Sequence, residues 1–446
     1  MTRFLTPLIP IFTSFFLLCG CADYKDILAE KGEAEYTIIL YGCGGGNLDD
    51  YLDEKLRELF KADYSKSVNV SALVKFSKEH QHKRKKTGTR RYSLYGRLRV
   101  ENEYYADNSF RLDSPENFAT FIAETKALMP AKKYILILWN HGEEFSIFDQ
   151  PIEENRSKAI LYDDNIHYAS MSIFELERAL SLVDSPFDAI ILDACRMASA
   201  EYLFQIKDYT KYILASSHNV YGGLFYNKLV HYLDECSNIC SALNSLGGYS
   251  VRRWSSYNTS EAMDISLFDM DYADNTLLCI GKCVDALHSL RNTISGDELE
   301  RYNRLNGTSQ SKSSPFYSEE GILYYINPSA SSEKVVESVD MAVAFRHFSE
   351  AFDDSSLKNS VKELDGALDK MIVAKHKLNI PSWATPTSFA FKWCYSDYFE
   401  KNYTKEYIER VGQEPLFPTL KDIYAYLEFD KHTSWSRFLE GNMLIR

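Results

Sequence analysis

Two apolar runs of this sequence end in polar residues that can do chemistry. Tyr134–Trp139 (YILILW) runs into Asn140-His141-Gly142, and Ala189–Leu192 (AIIL) runs into Asp193-Ala194-Cys195. A thiol can attack an acyl carbon while an imidazole moves the proton. Gly142 leaves room for a substrate, and its amide can point at a developing oxyanion alongside the amide of Cys195. The next segment, Met197–Lys207, reads as a helix, whose positive end would favour a thiolate at Cys195. The same residue types also fit a buried structural cysteine and a chance histidine among the ten in the chain.

Cys–His chemistry requires the two runs to be neighbouring parallel strands, because open parallel sheets form their sites at the carboxyl ends of strands. The surrounding pattern supplies such a sheet. Residues 36–42 (YTIILYG) form a continuous apolar run, as a strand buried on both faces does. The loop Gly42–Asn47 (GCGGGN) follows, then a helix over 49–62. The glycines invite a phosphate-loop reading, but the loop lacks GK[ST] and the GxGxxG spacing. Ser67–Phe76 alternates as a second strand. The basic run from His80 to Arg91 reads as a solvated hairpin loop, with a heparin or nucleic-acid patch as the rival reading, and Tyr92–Val100 as the returning strand.

Ser114-Pro115 opens a helix to Met129, and Ser172 with Glu175 forms a capping box for a helix over 172–181. Tyr212–Ala215 is a further strand. After about residue 270 the pattern changes to long amphipathic helices, such as Val336–Phe352 and Leu357–Lys377. Strands alternating with helices predict an α/β fold with a mostly parallel sheet and helices on both faces.

The chain has 446 residues, which at about 150 per domain predicts two or three domains. Apolar residues at 45% and charged residues at 25% describe a globular protein and argue against disorder. A net charge of −13 disfavours general nucleic-acid binding.

The N-terminus carries Arg3 and then a mostly apolar stretch from Phe4 to Leu18. That is short of the ~20 residues needed to span a bilayer, and it fits a secretory signal. Leu18-Cys19-Gly20-Cys21 resembles the bacterial lipoprotein box, which implies cleavage after residue 20 and lipidation of Cys21. A cell-envelope location, lipid-anchored at the outer membrane or cell surface, follows as an expectation. Seven cysteines lie beyond the signal region, an odd number. Cys236/Cys240 and Cys279/Cys283 each show i,i+4 spacing; buried helix stripes, a disulfide and a zinc site are all compatible with it.

Successive blocks then resemble one family. YTIILYGCGGGNLDD (36–50), YILILWNHG (134–142), DAIILDACRMASAE (188–201) and YILASSHNVYGGLFY (212–226) look like the clostripain-like cysteine peptidases, in order and in rough spacing. DISLF (264–268), VDMAVAF (339–345) and YLEFDKHTSWSRFL (426–439) extend the resemblance to about residue 440. It implies a caspase-like three-layer α/β/α sandwich with a helix-rich C-terminal region. On that reading residues 1–20 are a signal peptide, 21–34 a linker, 35–270 the catalytic domain and 271–446 the helix-rich domain. It also implies His141 as base, Cys195 as nucleophile, and cleavage after Arg or Lys with Asp193 helping to bind the basic side chain.

The family is often cut between the His and Cys strands. The polar insertion 142–158 (GEEFSIFDQPIEENRSK) offers Arg156 and Lys158 for such a cut. The 216–226 segment lacks the further acidic residues the family usually carries there, and shows Ser217, His218, Asn219, Gly222 and Gly223 instead. The chemistry requires no cofactor. Calcium stays open, since the family's namesake uses it while no EF-hand-like loop is present. Expected partners are protein or peptide substrates with basic residues, and the membrane through the lipid anchor. The rival reading is a catalytically silent surface-binding lipoprotein on the same scaffold.

Overall fold

The computed structural model describes residues 33–62, 68–78, 87–95, 98–142, 145, 160–163, 165–166, 169–257, 263–305, 339–380, 390–391, 405, 408, 414–417 and 420–436. The signal segment, Cys21, Cys394, Arg156, Lys158 and residues 79–86 of the basic run lie outside them.

Among the described residues the strands longer than two residues are β1 (Ala34–Cys43), β2 (Val68–Phe76), β3 (Gly88–Tyr95), β4 (Leu98–Ala106), β5 (Ala131–Trp139), β6 (Ile160–Asp163), β7 (Ala169–Met171), β8 (Phe187–Asp193), β9 (Thr210–Ala215), β10 (Met263–Asp269) and β11 (Ile372–Leu378). Nine of them form one sheet in the order β11-β10-β9-β8-β5-β1-β2-β3-β4, while β6 and β7 pair separately. The central strands β2, β1, β5, β8 and β9 run parallel. The edges are antiparallel: β3 and β4 on one side, β10 and β11 on the other.

The helices are α1 (Asp49–Lys61), α2 (Pro115–Leu128), α3 (Ile173–Ser181), α4 (Ala200–Gln205), α5 (Tyr226–Glu235), α6 (Ile239–Ser255), α7 (Ala273–Thr293), α8 (Gly296–Leu305), α9 (Met341–Ala351), α10 (Ser355–Met371), α11 (Leu420–Tyr424) and α12 (Glu428–Thr433). Side chains alternate across the central strands and so feed two separate cores. Ile39, Tyr41, Leu136, Leu138, Ile190 and Leu192 pack with α2, α3, α7 and α10. Ile38, Leu40, Ile135, Ile137, Ala189 and Ile191 pack with α1, α5 and α6. This is the expected three-layer sandwich. Each fully buried Leu, Ile or Phe contributes about 1.5–3 kcal/mol to holding the layers together.

Three elements differ from expectation. The return after the basic run is two strands, and it begins at Gly88, so Arg90 and Arg91 lie inside β3. Arg91 pairs with Glu124 at 3.1 Å and lies over the Phe121 ring. The helix expected over 357–377 ends at Met371, and residues 372–378 join the sheet as β11. There Val373, Lys375 and Lys377 face out while Ile372, Ala374, His376 and Leu378 turn in, a period of two. Lysines on an outer strand also discourage pairing with another chain. The helix expected from Met197 begins at Ala200, capped by Ser199; Met197 and Ala198 are buried in the non-helical link before it, where the Ala198 amide donates to the Ser216 carbonyl. Residues of α7, α9, α10 and α12 share one core with β1, β5 and β8, so the segment after 270 packs directly on the sheet.

Candidate active site

Trp139 at the end of β5 is the register partner of Asp193 at the end of β8. His141 and Cys195 each stand two residues further on, so both leave the sheet at the same level. Contact between the two turns is close. A Cβ placed on Gly142 would lie 2.4 Å from the Cys195 carbonyl oxygen and 3.0 Å from its amide nitrogen. Only glycine permits this approach, and the space beside it is filled by the backbone of Cys195 rather than left open.

Amides position the histidine. Nε2 of His141 lies 2.9 Å from Asn47 Oδ1. The Asn47 amide thereby fixes the orientation of the imidazole ring. Asn140, buried next to His141, donates to the Cys43 carbonyl (2.6 Å) and the Tyr162 carbonyl (3.1 Å), and accepts from the Tyr162 amide (2.6 Å). The ends of β1 and β5 and strand β6 are thereby tied together. The glycine loop before Asn47 serves this packing and not a phosphate. Gly44 abuts Asp49 Oδ1, and the Asp49 carboxylate accepts from Ser77, which places a negative charge at the loop.

Cys195 is half-buried and carries a free thiol. Burial pushes the thiol above its ordinary pKa, against the Val220 amide and the Arg196 charge, which favour the thiolate. The Val220 N–H donates to Sγ at 3.3 Å. The helix dipole drawn from the sequence is absent here: α4 begins five residues beyond Cys195 and has only 6 residues. Arg196 instead takes a left-handed φ of 57°, an uncommon conformation for a side-chain-bearing residue.

The 216–220 segment forms the neighbouring wall. Its carbonyls accept from Arg196 N (His218 O, 3.0 Å) and Ala198 N (Ser216 O, 2.9 Å). Buried Asp264 on β10 holds it through Ser217 N, His218 N and His218 Nδ1, the last at 2.7 Å. His218 is therefore an anchored, mostly buried residue rather than a surface one.

Asp193 is buried beneath the next turn. Its Oδ2 accepts from the Leu224 amide (2.9 Å) and the Tyr226 hydroxyl. Among the described residues its Oδ1 has no hydrogen-bond partner, nor has Nε1 of the neighbouring Trp139. A buried acceptor left unmade costs about 1–3 kcal/mol, which marks Oδ1 as a place for a donor. Burial raises the Asp193 carboxyl pKa, and the Tyr226 and Leu224 hydrogen bonds oppose that shift. Gly222 and Gly223, both at positive φ, carry the backbone across this carboxylate.

The site thus unites His141, Gly142, Asp193 and Cys195 and adds Asn47, Asn140, Val220 and Tyr226, which the sequence had not singled out. The four helical cysteines lie elsewhere. Cys279 and Cys283 are buried on α7, while Cys236 and Cys240 are half-buried at the ends of α5 and α6. Among the described residues no three His, Cys, Asp or Glu side chains converge as metal ligands. No described helix is long and apolar enough to cross a membrane.

The sequence model of the clostripain family of peptidases matches residues 40–412. No curated protein matches the chain. An inactive zymogen C11 protease from Parabacteroides distasonis is 17% identical, with 90% of this chain and 99% of that chain aligned at a TM-score of 0.58. A secreted C11 cysteine protease from Bacteroides thetaiotaomicron, solved with an irreversible peptide inhibitor, is 15% identical over 91% of this chain and 100% of that chain, at a TM-score of 0.59. These likenesses show the shared fold. The match over most of the sequence shows the lineage: the chain belongs to the clostripain family of cysteine peptidases.

Proposed function

We propose that this peptidase is an endopeptidase that cleaves after Arg or Lys through a His141–Cys195 dyad. The observation that carries the reading is the packing of the two strand-end turns, with Gly142 against the backbone of Cys195. Sγ of Cys195 attacks the scissile carbonyl, and His141 takes the thiol proton and passes it to the leaving amine. The amides of Gly142 and Cys195 stabilise the oxyanion. Water, deprotonated by His141, then hydrolyses the acyl-enzyme. The unpartnered Oδ1 of Asp193 supplies the anion for a basic side chain, reached when the Gly222-Gly223 turn lifts from it.

The insertion 142–158 is a natural site of self-processing at Arg156 or Lys158. Its two ends meet beside the dyad, because Gly142 bridges Ile160 across it. An intact mass that stays unchanged on prolonged incubation of active enzyme would count against this. The N-terminal pattern supports export and a lipid anchor on Cys21, at the outer membrane or cell surface. Metabolic labelling with an alkyne fatty acid, lost in Cys21→Ala, tests it.

The central experiment compares the protein with Cys195→Ala on fluorogenic peptides ending in Arg, Lys, Asp or Leu, with and without calcium. Release after Arg or Lys, absent in the variant, supports the whole reading. Release only after another residue keeps the dyad and removes Asp193 from specificity. No release from any peptide favours an unprocessed zymogen or a silent binding protein on this scaffold.

A further inference from the structure

The Asp193 carboxylate is held asymmetrically, and the residues that hold it lead away from the catalytic edge to helix α1. Tyr226 gives its hydroxyl to Oδ2 of Asp193 and its amide to Glu58 Oε2 at 2.8 Å. Glu58 Oε1 in turn accepts from Lys55 Nζ at 2.8 Å, and Nζ also donates to the Leu224 carbonyl at 2.9 Å. Leu224 then returns to Asp193 through its own amide at 2.9 Å. The circuit closes: one ion pair on α1 grips both residues that donate to Oδ2.

Lys55 is a costly residue to bury. Its side chain is 3% exposed and that of Glu58 is 15% exposed. It lies on the apolar face of α1 among Leu52, Leu56 and Leu59, with its ammonium 4.9 Å from the centre of the Phe225 ring. An ion pair in such a place is weak evidence for stability, since apolar residues of similar volume often serve as well or better. What this pair offers is direction. It fixes the 224–226 backbone from behind, so both of its donors meet the same carboxylate oxygen.

We propose that Tyr226 and the buried Lys55–Glu58 pair are specificity-positioning residues: they occupy Oδ2 of Asp193 so that Oδ1 alone is presented to the cation of a substrate. The assignment rests on the basic-side-chain reading of Asp193 given above. With Tyr226 in place, the carboxylate cannot rotate to share both oxygens with the loop, and a guanidinium or ammonium meets a fixed acceptor. None of the three residues touches the reacting atoms. Their loss should act on selectivity and on KM, not on the thiol.

The test measures kcat and KM of the full enzyme on matched peptides ending in Arg and in Leu, for Tyr226→Phe, Glu58→Gln and Asp193→Asn. Iodoacetamide labelling of Cys195, read by peptide mapping, reports whether the nucleophile is intact. Tyr226→Phe and Glu58→Gln should each lower the Arg-to-Leu ratio of kcat/KM by about tenfold, mainly through KM, as expected for one charge-assisted hydrogen bond. Labelling rates should stay within about twofold, and Asp193→Asn should lower the ratio further. An unchanged ratio in both Tyr226→Phe and Glu58→Gln, with Asp193→Asn still losing selectivity, overturns the positioning role and leaves the basic pocket standing. An unchanged ratio in Asp193→Asn removes the pocket reading and the positioning role with it. Equal losses on both peptides together with slowed labelling would show general disorder of the site and would also overturn the proposal. Glu58→Gln, isosteric and away from the carboxylate, decides the matter if Tyr226→Phe does not fold.

Discussion

Asn47 Oδ1 and His141 Nε2 lie 2.9 Å apart, although 94 residues separate them in the chain. The hydrogen bond joins the loop after β1 to the turn after β5, two parallel neighbours at the centre of the sheet. It holds the His141 ring in one place beside the Gly142–Cys195 contact. Asn47→Ala should therefore lower kcat by about tenfold to a hundredfold, a part of what a positioned base contributes, with little change in KM. Steady-state kinetics on one peptide substrate checks it, and an unchanged kcat would remove Asn47 from the mechanism.

The parts of this architecture legible in the sequence are those where one residue's neighbours suffice. β1, β5 and β8 are buried on both faces and so read as unbroken apolar runs. His141 and Cys195 stand out because they follow such runs directly. The partners of the site are of another kind. Asn140 and Asn47 are ordinary loop residues until the fold brings them to Tyr162 and His141. Lys55 finds the Leu224 carbonyl 169 residues away. Only its place on an apolar helix stripe, between Leu52 and Leu59, hints that it is buried. β11 was hidden by Lys375, His376 and Lys377, which continue the polar pattern of α10 while switching its period from helix to strand.

Gly142 leaves no space for a larger residue. The nearest atoms to an added Cβ are the Cys195 carbonyl oxygen at 2.4 Å, the Ala194 Cβ at 2.8 Å and the Cys195 amide at 3.0 Å. Two of these are backbone and cannot rotate aside. Gly142→Ala should cost about 1–3 kcal/mol of stability and separate the two turns. Activity should fall by on the order of a hundredfold, since misplacement of about 1 Å has that effect. Thermal unfolding and peptide cleavage together check this; a variant with native Tm and native activity would contradict the packing.

Lys75 is fully buried at the end of β2, where its ammonium bonds Asp163 and the Phe110 carbonyl, the latter at 2.8 Å. Asp163 closes β6, the strand that Asn140 ties to the site. Lys75→Met would strand a buried carboxylate, at a cost of about 3–5 kcal/mol. Adding Asp163→Asn should restore part of that loss, because the orphaned charge is removed. The urea midpoints of both single variants and of the double variant give the answer, and strictly additive losses would mean that the pair carries no coupling.

The protonation of Cys195 predicts how its reactivity depends on pH. Burial raises its pKa above the ordinary thiol value, and the Val220 amide and Arg196 only partly offset this. The thiolate is the reactive form, so alkylation of the uncleaved protein should be slow near neutral pH and should climb only as pH rises past the ordinary thiol range. The same shift sets a sign for stability. The folded protein holds this proton where the unfolded chain releases it, so the contribution of Cys195 is present below the unfolded value and is lost as pH rises through the folded one. A cut between Gly142 and Ile160, which pair beside Cys195, would loosen that packing and lower the pKa. Iodoacetamide rates at stepped pH, before and after any self-processing, separate the two states. An alkylation rate already at its plateau below pH 8 in the intact chain would mean that the thiolate is preformed, and that burial does not govern this thiol.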